Sequence, residues 1–361
     1  MMIECEKYNN AIIVFDVGGT HFRCGLYTTQ FGLTEVSQQP ALSFRSAPTL
    51  SSAELKQGLL DYLVKTAQQY ASRFSARVIS ISLGAALDGH RGIVYGSGPL
   101  WGDDISTFDL LTLLRQTTPA FHWYLVNDVT AGLIHYANQL IHQNNRKILL
   151  LTISTGIACR LLDVPNQRIV LDEFGLQGEM GHLPTTLSFK GHVLELECDC
   201  GGHNHLAAFS SGRGMVALVS LLAKWQPLLW ESSYYFALCE KGLTHENAFH
   251  QALEVNDEFA QTILHLATQP IAAMLRHALT LDPEIDKIVL TGGVVGQLGA
   301  AYRAMLMQHL TEHGIYLSSH FDPALFDRRI VIANQSEVNN LIGAALWAKL
   351  QSDIGKPCVI H

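Results

Sequence analysis

The sequence predicts an α/β fold in two halves built on one repeated plan, and three observations carry that prediction. The chain has 361 residues, more than one compact core organises, so two domains are expected. Apolar strands alternate with helical stretches along most of its length, the pattern of α/β layers. The opening segment Ile12-Ile13-Val14-Phe15-Asp16-Val17-Gly18-Gly19 is echoed by Ile148-Leu149-Leu150-Leu151-Thr152-Ile153-Ser154-Thr155. Each is a buried strand turning through small residues into a second strand. One such hairpin at the head of each half predicts a duplicated unit with a cleft between the copies. A chance match of two buried strands is the simpler alternative.

The elements follow in order. Residues 11–16 and 22–27 read as two strands of a hairpin around a Gly-Gly turn. Residues 53–74 place Leu55, Leu59, Leu60, Leu63, Val64 and Ala67 on one face of a helix. Residues 78–85 are a strand running into Gly84. Residues 123–129 are a buried strand ending in a carboxylate, with a helix over 129–142 behind it. Residues 147–163 are the second hairpin. Residues 186–212 lack periodicity and hold a His/Cys cluster. The chain is helical from 213 to 280, with a break expected at Pro270. Residues 287–296 are a strand ending in a glycine pair, 329–334 a further strand, and 339–351 a closing helix rich in small residues. The division expected is a small α/β domain over 1–127, with the closing helix packed back on it. A larger α/β domain over 128–338 carries the His/Cys segment 182–205.

Composition narrows the class. Apolar residues make up 48% and charged residues 16%, which suits a core-rich globular enzyme. A net charge of −8 argues against a partner held by its phosphate backbone, so no nucleic acid is expected. A phosphorylated small molecule needs only a few local donors and remains compatible. The seven cysteines, among them Cys5 and Cys358, are odd in number, and only Cys198 and Cys200 cluster, unlike a secreted disulfide framework. The N-terminus MMIECEKYNN has no apolar signal core. The best apolar run, 216–223, is too short to span a membrane. A cytoplasmic chain without a membrane partner is expected.

Five stretches carry chemistry. In Asp16-Val17-Gly18-Gly19-Thr20, glycines after a strand let backbone approach an anion, successive N–H groups can form a phosphate nest, and Thr20 adds a hydroxyl. Asp16 would face Mg²⁺, directly or through water. An ordinary hairpin turn, with Asp16 capping its own loop, is the alternative. Ser154-Thr155-Gly156 occupies the equivalent turn of the second half. Asn127-Asp128 ends a buried strand where α/β folds open their clefts. Partial burial there would raise Asp128 towards the range of a general base. It is equally a good helix N-cap, and the two roles can coexist. His182, Cys198, Cys200 and His205 are two imidazoles and two thiols that satisfy tetrahedral zinc, with no position left open, so the role reads as structural. His203 and His192 are rival ligands. Finally, Gly292 and Gly293 follow a strand and could lie against a nucleobase or ribose. Ser211-Gly212-Arg213-Gly214 follows no suitable strand and is discarded as a dinucleotide fingerprint.

As an ordered set these stretches resemble the ROK family (repressors, open reading frames, kinases) of the sugar kinase and actin-like ATPase superfamily. The match runs from 11 to 350 and includes Gly178-Glu179-Met180-Gly181-His182 and the closing Leu-Ile-Gly-Ala-Ala-Leu-Trp-Ala. The resemblance implies a duplicated ribonuclease-H-like fold, ATP with Mg²⁺, and transfer of the γ-phosphoryl to a sugar hydroxyl. It implies Asp16, Gly18, Gly19 and Thr20 as the phosphate loop, with Thr155 and Gly156 as the second. Asp128 is then the catalytic base and Asn127 its sugar-binding neighbour. Glu179 and His182 become acceptor ligands, with His182 also on zinc, and Gly292 and Gly293 the adenosine wall. A homo-oligomer, a dimer, is implied as well.

Three departures stand out. His205, Asn204 and Ala207 replace the cysteine, glycine and glutamate of the family's zinc segment. Pro99 stands where many family sugar kinases place a hydroxyl-binding asparagine. Ser154 and Ala158 replace glycines of the second loop. The stretches 84–92, 98–103 and 175–184 look similar to ROK kinases acting on C7 cyclitols. A kinase of a sugar or cyclitol is therefore expected. The alternatives are a glucokinase or N-acylhexosamine kinase proper, or a non-catalytic sugar-sensing protein.

Overall fold

The computed structural model of the chain describes residues 10–140, 143–334, 336 and 338–352. Cys5, Cys358 and residues 141–142, the last turn expected of one helix, lie outside the described residues. The chain divides into two compact units. The first holds the described residues up to 144, then 160–177, then those from 336 onward; the second holds 145–159 and 178–335.

The first unit is built on strands β1 (Ile12–Val17), β2 (His21–Thr28), β3 (Gly32–Pro40), β4 (Val78–Leu83) and β8 (His122–Asn127). A small sheet of β5 (Ala86–Asp88), β6 (Ile93–Gly96) and β7 (Phe108–Asp109) lies between β4 and β8 in the chain. The main sheet has the order β3-β2-β1-β4-β8. β1 pairs antiparallel with β2 and parallel with β4, and β4 pairs parallel with β8. Alternate residues of β1 serve opposite faces, as the two-residue period of a strand requires. Ile13, Phe15 and Val17 join the core containing Leu55, Leu59 and Leu63 of helix α1 (Ser52–Phe74). Ile12 and Val14 pack with Leu341, Ala345 and Ala348 of the closing helix (Asn339–Ser352). Burial on both faces explains why β1 reads as an unbroken apolar run. Helix α1 starts at a capping box: the Glu54 N–H donates to Ser51 Oγ, and the Ser51 N–H to Glu54 Oε2 at 2.8 Å.

The boundary expected at 127/128 falls inside this unit. The reason is helix α2 (Asp128–Leu140), which packs on the closing helix. A Cβ at Gly343 would stand 1.9 Å from the Ala131 carbonyl oxygen, so the two backbones touch, and α2 stays with the first unit. Strand β3 was not foreseen. Its outer half, 35–40, is exposed, so no apolar pattern announces it.

The second unit opens with β9 (Lys147–Ile153) and β10 (Ile157–Asp163). From Arg160 the chain counts with the first unit, where β10 pairs with β11 (Arg168–Ile169). A two-stranded hairpin of β12 (Leu187–Phe189) and β13 (His192–Leu194) lies within the segment that had shown no periodicity. β14 (Ile285–Thr291) runs parallel to both β9 and β15 (Ile330–Ile332). The order β11-β10-β9-β14-β15 repeats β3-β2-β1-β4-β8 position for position, so the predicted duplication is present in the topology. Helices α3 (Gly212–Trp225), α4 (Glu258–Leu281) and α5 (Gly293–His313) belong to this unit, and the closing helix is α6. α4 runs straight through Pro270, against the expected break. Proline removes one backbone bond there. Leu264, Leu266, Ala267, Ile271, Ala272 and Leu275 are all almost fully buried around it, and their packing holds the helix.

Candidate active site

In the first unit, register brings the predicted residues together. Val17, Leu83 and Asn127 are partners across β1, β4 and β8. The loops that follow them therefore leave the sheet at one level, the C-terminal ends of three parallel strands, where α/β sheets bind ligands. Residues 18–20, Gly84 and Asp128 emerge there. Asp128 Oδ2 lies 3.4 Å from where a Cβ on Gly84 would stand, so Gly84 leaves room for the carboxylate.

Asp128 is the first residue of α2, yet Asn127 caps the helix. Asn127 Oδ1 accepts from the Val129 and Thr130 N–H groups at 3.0 and 3.2 Å, and its Nδ2 donates to the Ala85 carbonyl at 2.9 Å. Asp128 Oδ1 accepts from the neighbouring Val129 N–H at 2.9 Å. The cap expected of Asp128 thus falls to its neighbour, and the Asp128 carboxylate stands at the positive end of the helix.

Asp16 is buried at the end of β1 between its two cross-strand partners. Its oxygens accept from Ser82 Oγ at 3.1 Å, Asn340 Nδ2 at 3.3 Å and Arg23 Nη1 at 3.4 Å. Burial pushes its carboxyl above the ordinary carboxylate range, and Arg23, Ser82 and Asn340 offset only part of that. With side-chain donors on both oxygens, the group suits a hydrated Mg²⁺ held through water better than a direct ligand bond.

The two loops share a plan. In the first, the Gly18 N–H turns inward to the His21 carbonyl at 3.2 Å. In the second, the Ser154 N–H turns inward to the Gly156 carbonyl at 2.9 Å, and the Ser154 carbonyl accepts from Gly212 at 2.7 Å. The amides placed to meet an anion are then those of Gly19 and Thr20, and of Thr155 and Gly156. The two glycines of the first loop differ in kind. A Cβ on Gly18 meets nothing closer than 3.9 Å, whereas one on Gly19 would lie 2.6 Å from Pro99 Cβ. Gly19 is therefore small for the sake of packing, and Pro99 is the residue packed on it. The 97–104 stretch around Pro99 is pinned elsewhere too. Ser97 Oγ donates to the Gly84 carbonyl at 2.6 Å, and Lys56 Nζ bonds Asp104 at 2.8 Å.

In the second unit, Gly292 (φ +100°) lies against β9: a Cβ there would stand 2.3 Å from the Ile153 carbonyl oxygen. Gly293 begins α5 with nothing within 4 Å of such a Cβ. Gly293 opens onto a cavity of about 570 Å³ lined by Ser154, Thr155, Gly212, Arg213 and Val294, with Met215, Tyr235, Phe249 and Leu298 among its apolar walls. Its volume and apolar lining suit a flat heteroaromatic ring. Gly212 and Arg213 belong to the stretch that had been discarded as a fingerprint. The signal that could have found them is the N-cap Ser211, whose Oγ accepts from Gly214.

The His/Cys cluster assembles as predicted. Donor atoms of His182, Cys198, Cys200 and His205 all lie within 4.8 Å of one another, with Cys200 Sγ 3.2 Å from His205 Nδ1. His205, and neither His203 nor His192, completes the group. Gly202 makes room for it, since a Cβ there would meet the His205 ring at 2.4 Å. Asn204 adopts φ +54°, a left-handed conformation that asparagine tolerates better than most residues. Two soft sulfurs and two imidazoles in one small shell fit a tetrahedral Zn²⁺. Glu179 precedes the short 3₁₀ turn Met180–His182 and is exposed. Gly178 and Gly181 press this turn onto β10, where any Cβ would strike the Cys159 and Ile157 carbonyls.

Comparison with known proteins gives the family. The ROK family model matches residues 12–351. A 2-epi-5-epi-valiolone 7-kinase from an Actinoplanes species is 41% identical over 340 residues, covering 94% of this chain and 93% of that protein. A C(7)-cyclitol 7-kinase from Streptomyces hygroscopicus subsp. limoneus is 25% identical over 313 residues, 84% of this chain and 85% of the relative. Among solved structures, a ROK family glucokinase from Streptomyces griseus in complex with glucose and AMPPNP superposes with a TM-score of 0.68 at 16% identity, over 94% of this chain and 99% of that one. The chain belongs to the ROK family. Within it the chain is a carbohydrate kinase that uses ATP.

Proposed function

We propose that the chain transfers the γ-phosphoryl group of ATP to the O7 hydroxyl of a C7 cyclitol of the valiolone type. The observation that carries this reading is the 41% identity to the 2-epi-5-epi-valiolone 7-kinase over 94% of the chain. In the first unit, Asp128 takes the proton of the acceptor hydroxyl as it attacks phosphorus, with the Val129 N–H on its Oδ1 and room for it beside Gly84. The amides of Gly19 and Thr20 meet phosphate oxygens. In the second unit Thr155 and Gly156 do the same, the cavity beside Gly292 and Gly293 takes adenosine, and Arg213 adds a cation at its wall. Mg²⁺ would neutralise the phosphate charge, with Asp16 holding its waters. Zn²⁺ would be held by His182, Cys198, Cys200 and His205 and would staple the loop-rich segment around them. His182 Nδ1 lies 4.0 Å from Cys198 Sγ, so its Nε2 is the nitrogen left for the acceptor, beside Glu179. The reducing cytoplasm would keep both thiols available to the metal. A homodimer is the assembly the family resemblance supports.

A coupled ADP-release assay over valiolone-type cyclitols, glucose and N-acetylmannosamine tests the acceptor. A kcat/KM for the cyclitol at least about 100-fold above either hexose is expected, and a preference for a hexose would sink the assignment. Asp128→Asn should keep the fold and lose about 100-fold or more in kcat. Turnover equal to wild type would remove Asp128 from its role.

A further inference from the structure

We propose that His309, Glu312 and His313 form a second divalent-metal site, suited to Zn²⁺, on the last turn of α5. The three read His-Leu-Thr-Glu-His, and residues three and four apart share one helix face. One donor atom from each lies within 4.8 Å of the others. Glu312 and His313 are exposed and can close the rest of the gap by changing rotamer. An ion about 2.0–2.2 Å from imidazole nitrogens and a carboxylate oxygen then fits between them.

His309 is the fixed member. It is buried, and its Nε2 donates to the His265 carbonyl across on α4 at 2.9 Å. That bond places the proton on Nε2 and leaves the lone pair on Nδ1. Metal-bound histidines are oriented in this way, by a carbonyl behind the ring. The His265 ring lies against the His309 ring at 4.3 Å between centroids. Backbone groups at this helix end have partners of their own. The Gly314 N–H donates to the Leu310 carbonyl at 2.9 Å, and Arg276 Nε takes the Gly314 carbonyl at 2.6 Å.

Two imidazoles and one carboxylate are the donors of a borderline ion, not of Mg²⁺ or Ca²⁺, which prefer oxygen throughout. Three protein ligands leave a position for water, so the site is chemically distinct from the Cys₂His₂ cluster. An ion there ties the end of α5 to a ring already fastened to α4.

Isothermal titration calorimetry tests the site. The full chain, carrying one equivalent of zinc, is titrated with further zinc near neutral pH. A second binding event with a micromolar dissociation constant is expected. His313→Ala and Glu312→Gln each should weaken it by at least about tenfold, while Cys200→Ser should leave it in place. Glu312 and His313 are at exposed positions, and thermal melts would check that all three variants are folded. An event no tighter than millimolar, or unchanged in either variant, overturns the site.

Discussion

Asp16 illustrates how one residue carries opposing demands. Burial disfavours its charge, and Ser82, Asn340 and Arg23 restore part of what burial removes. A carboxyl whose pKa is raised on folding destabilises the fold above that pKa, and the cost disappears below its unfolded value. Asp16→Asn should therefore melt no lower than wild type near neutral pH. The difference should shrink as the pH falls through the raised pKa, measured by thermal melts across a pH series. The same variant should lose about 100-fold in turnover if the carboxylate holds the hydrated metal. A variant that melts well below wild type at neutral pH would contradict the first point. The two loop glycines separate in the same manner. Gly18→Ala meets no protein atom within 3.9 Å, so stability should stay within about 0.5 kcal/mol while ATP affinity drops. Gly19→Ala collides with Pro99 and should cost about 1–3 kcal/mol. Urea unfolding with paired nucleotide titrations distinguishes them, and equal stability of the two variants would refute the Pro99 contact.

At the scale of elements, the buried strands were legible because burial on both faces writes an apolar run. α1 was legible because one face must be apolar; its Ser51–Glu54 capping box, found in the structure, was a signal left unread. β3 was not, because an exposed edge strand carries polar residues. The continuity of α4 through Pro270 was not legible either, because packing contributed by other segments outweighs the local rule. The capping role of Asn127 turned on one residue of register. Both Asn127 and Asp128 suit a cap, and only the position of the strand end decides which is used. The closing helix gives a direct test of element packing. Gly343→Ala places a methyl into the Ala131 backbone. It should lower stability by about 1–3 kcal/mol, read by chemical denaturation, and a neutral result would mean that α2 and α6 are not in contact.

At the scale of the whole chain, the candidate site was legible as five motifs whose residue types name their chemistry. Gly212, Arg213 and the apolar cavity walls were not, since those residues come from separate helices and share no spacing. The return of 160–177 to the first unit was also hidden, because β10 crosses between units without a break in its pattern. The His/Cys cluster makes a prediction at this scale. If it holds zinc, chelation should lower the melting temperature and open residues 183–205 to proteolysis, since the segment has only the short β12–β13 hairpin and two isolated bridges of its own. Mass mapping of the fragments checks it, and an unchanged digestion pattern would show that the cluster is held without an ion.

The placement of α6 has a consequence for the order in which a ribosome delivers the fold. When synthesis has passed residue 335, every residue of the second unit has been made. The first unit still lacks the helix that covers Ile12 and Val14. One face of β1 therefore stays uncovered until α6 has followed, so the first unit can close only after the second has been made.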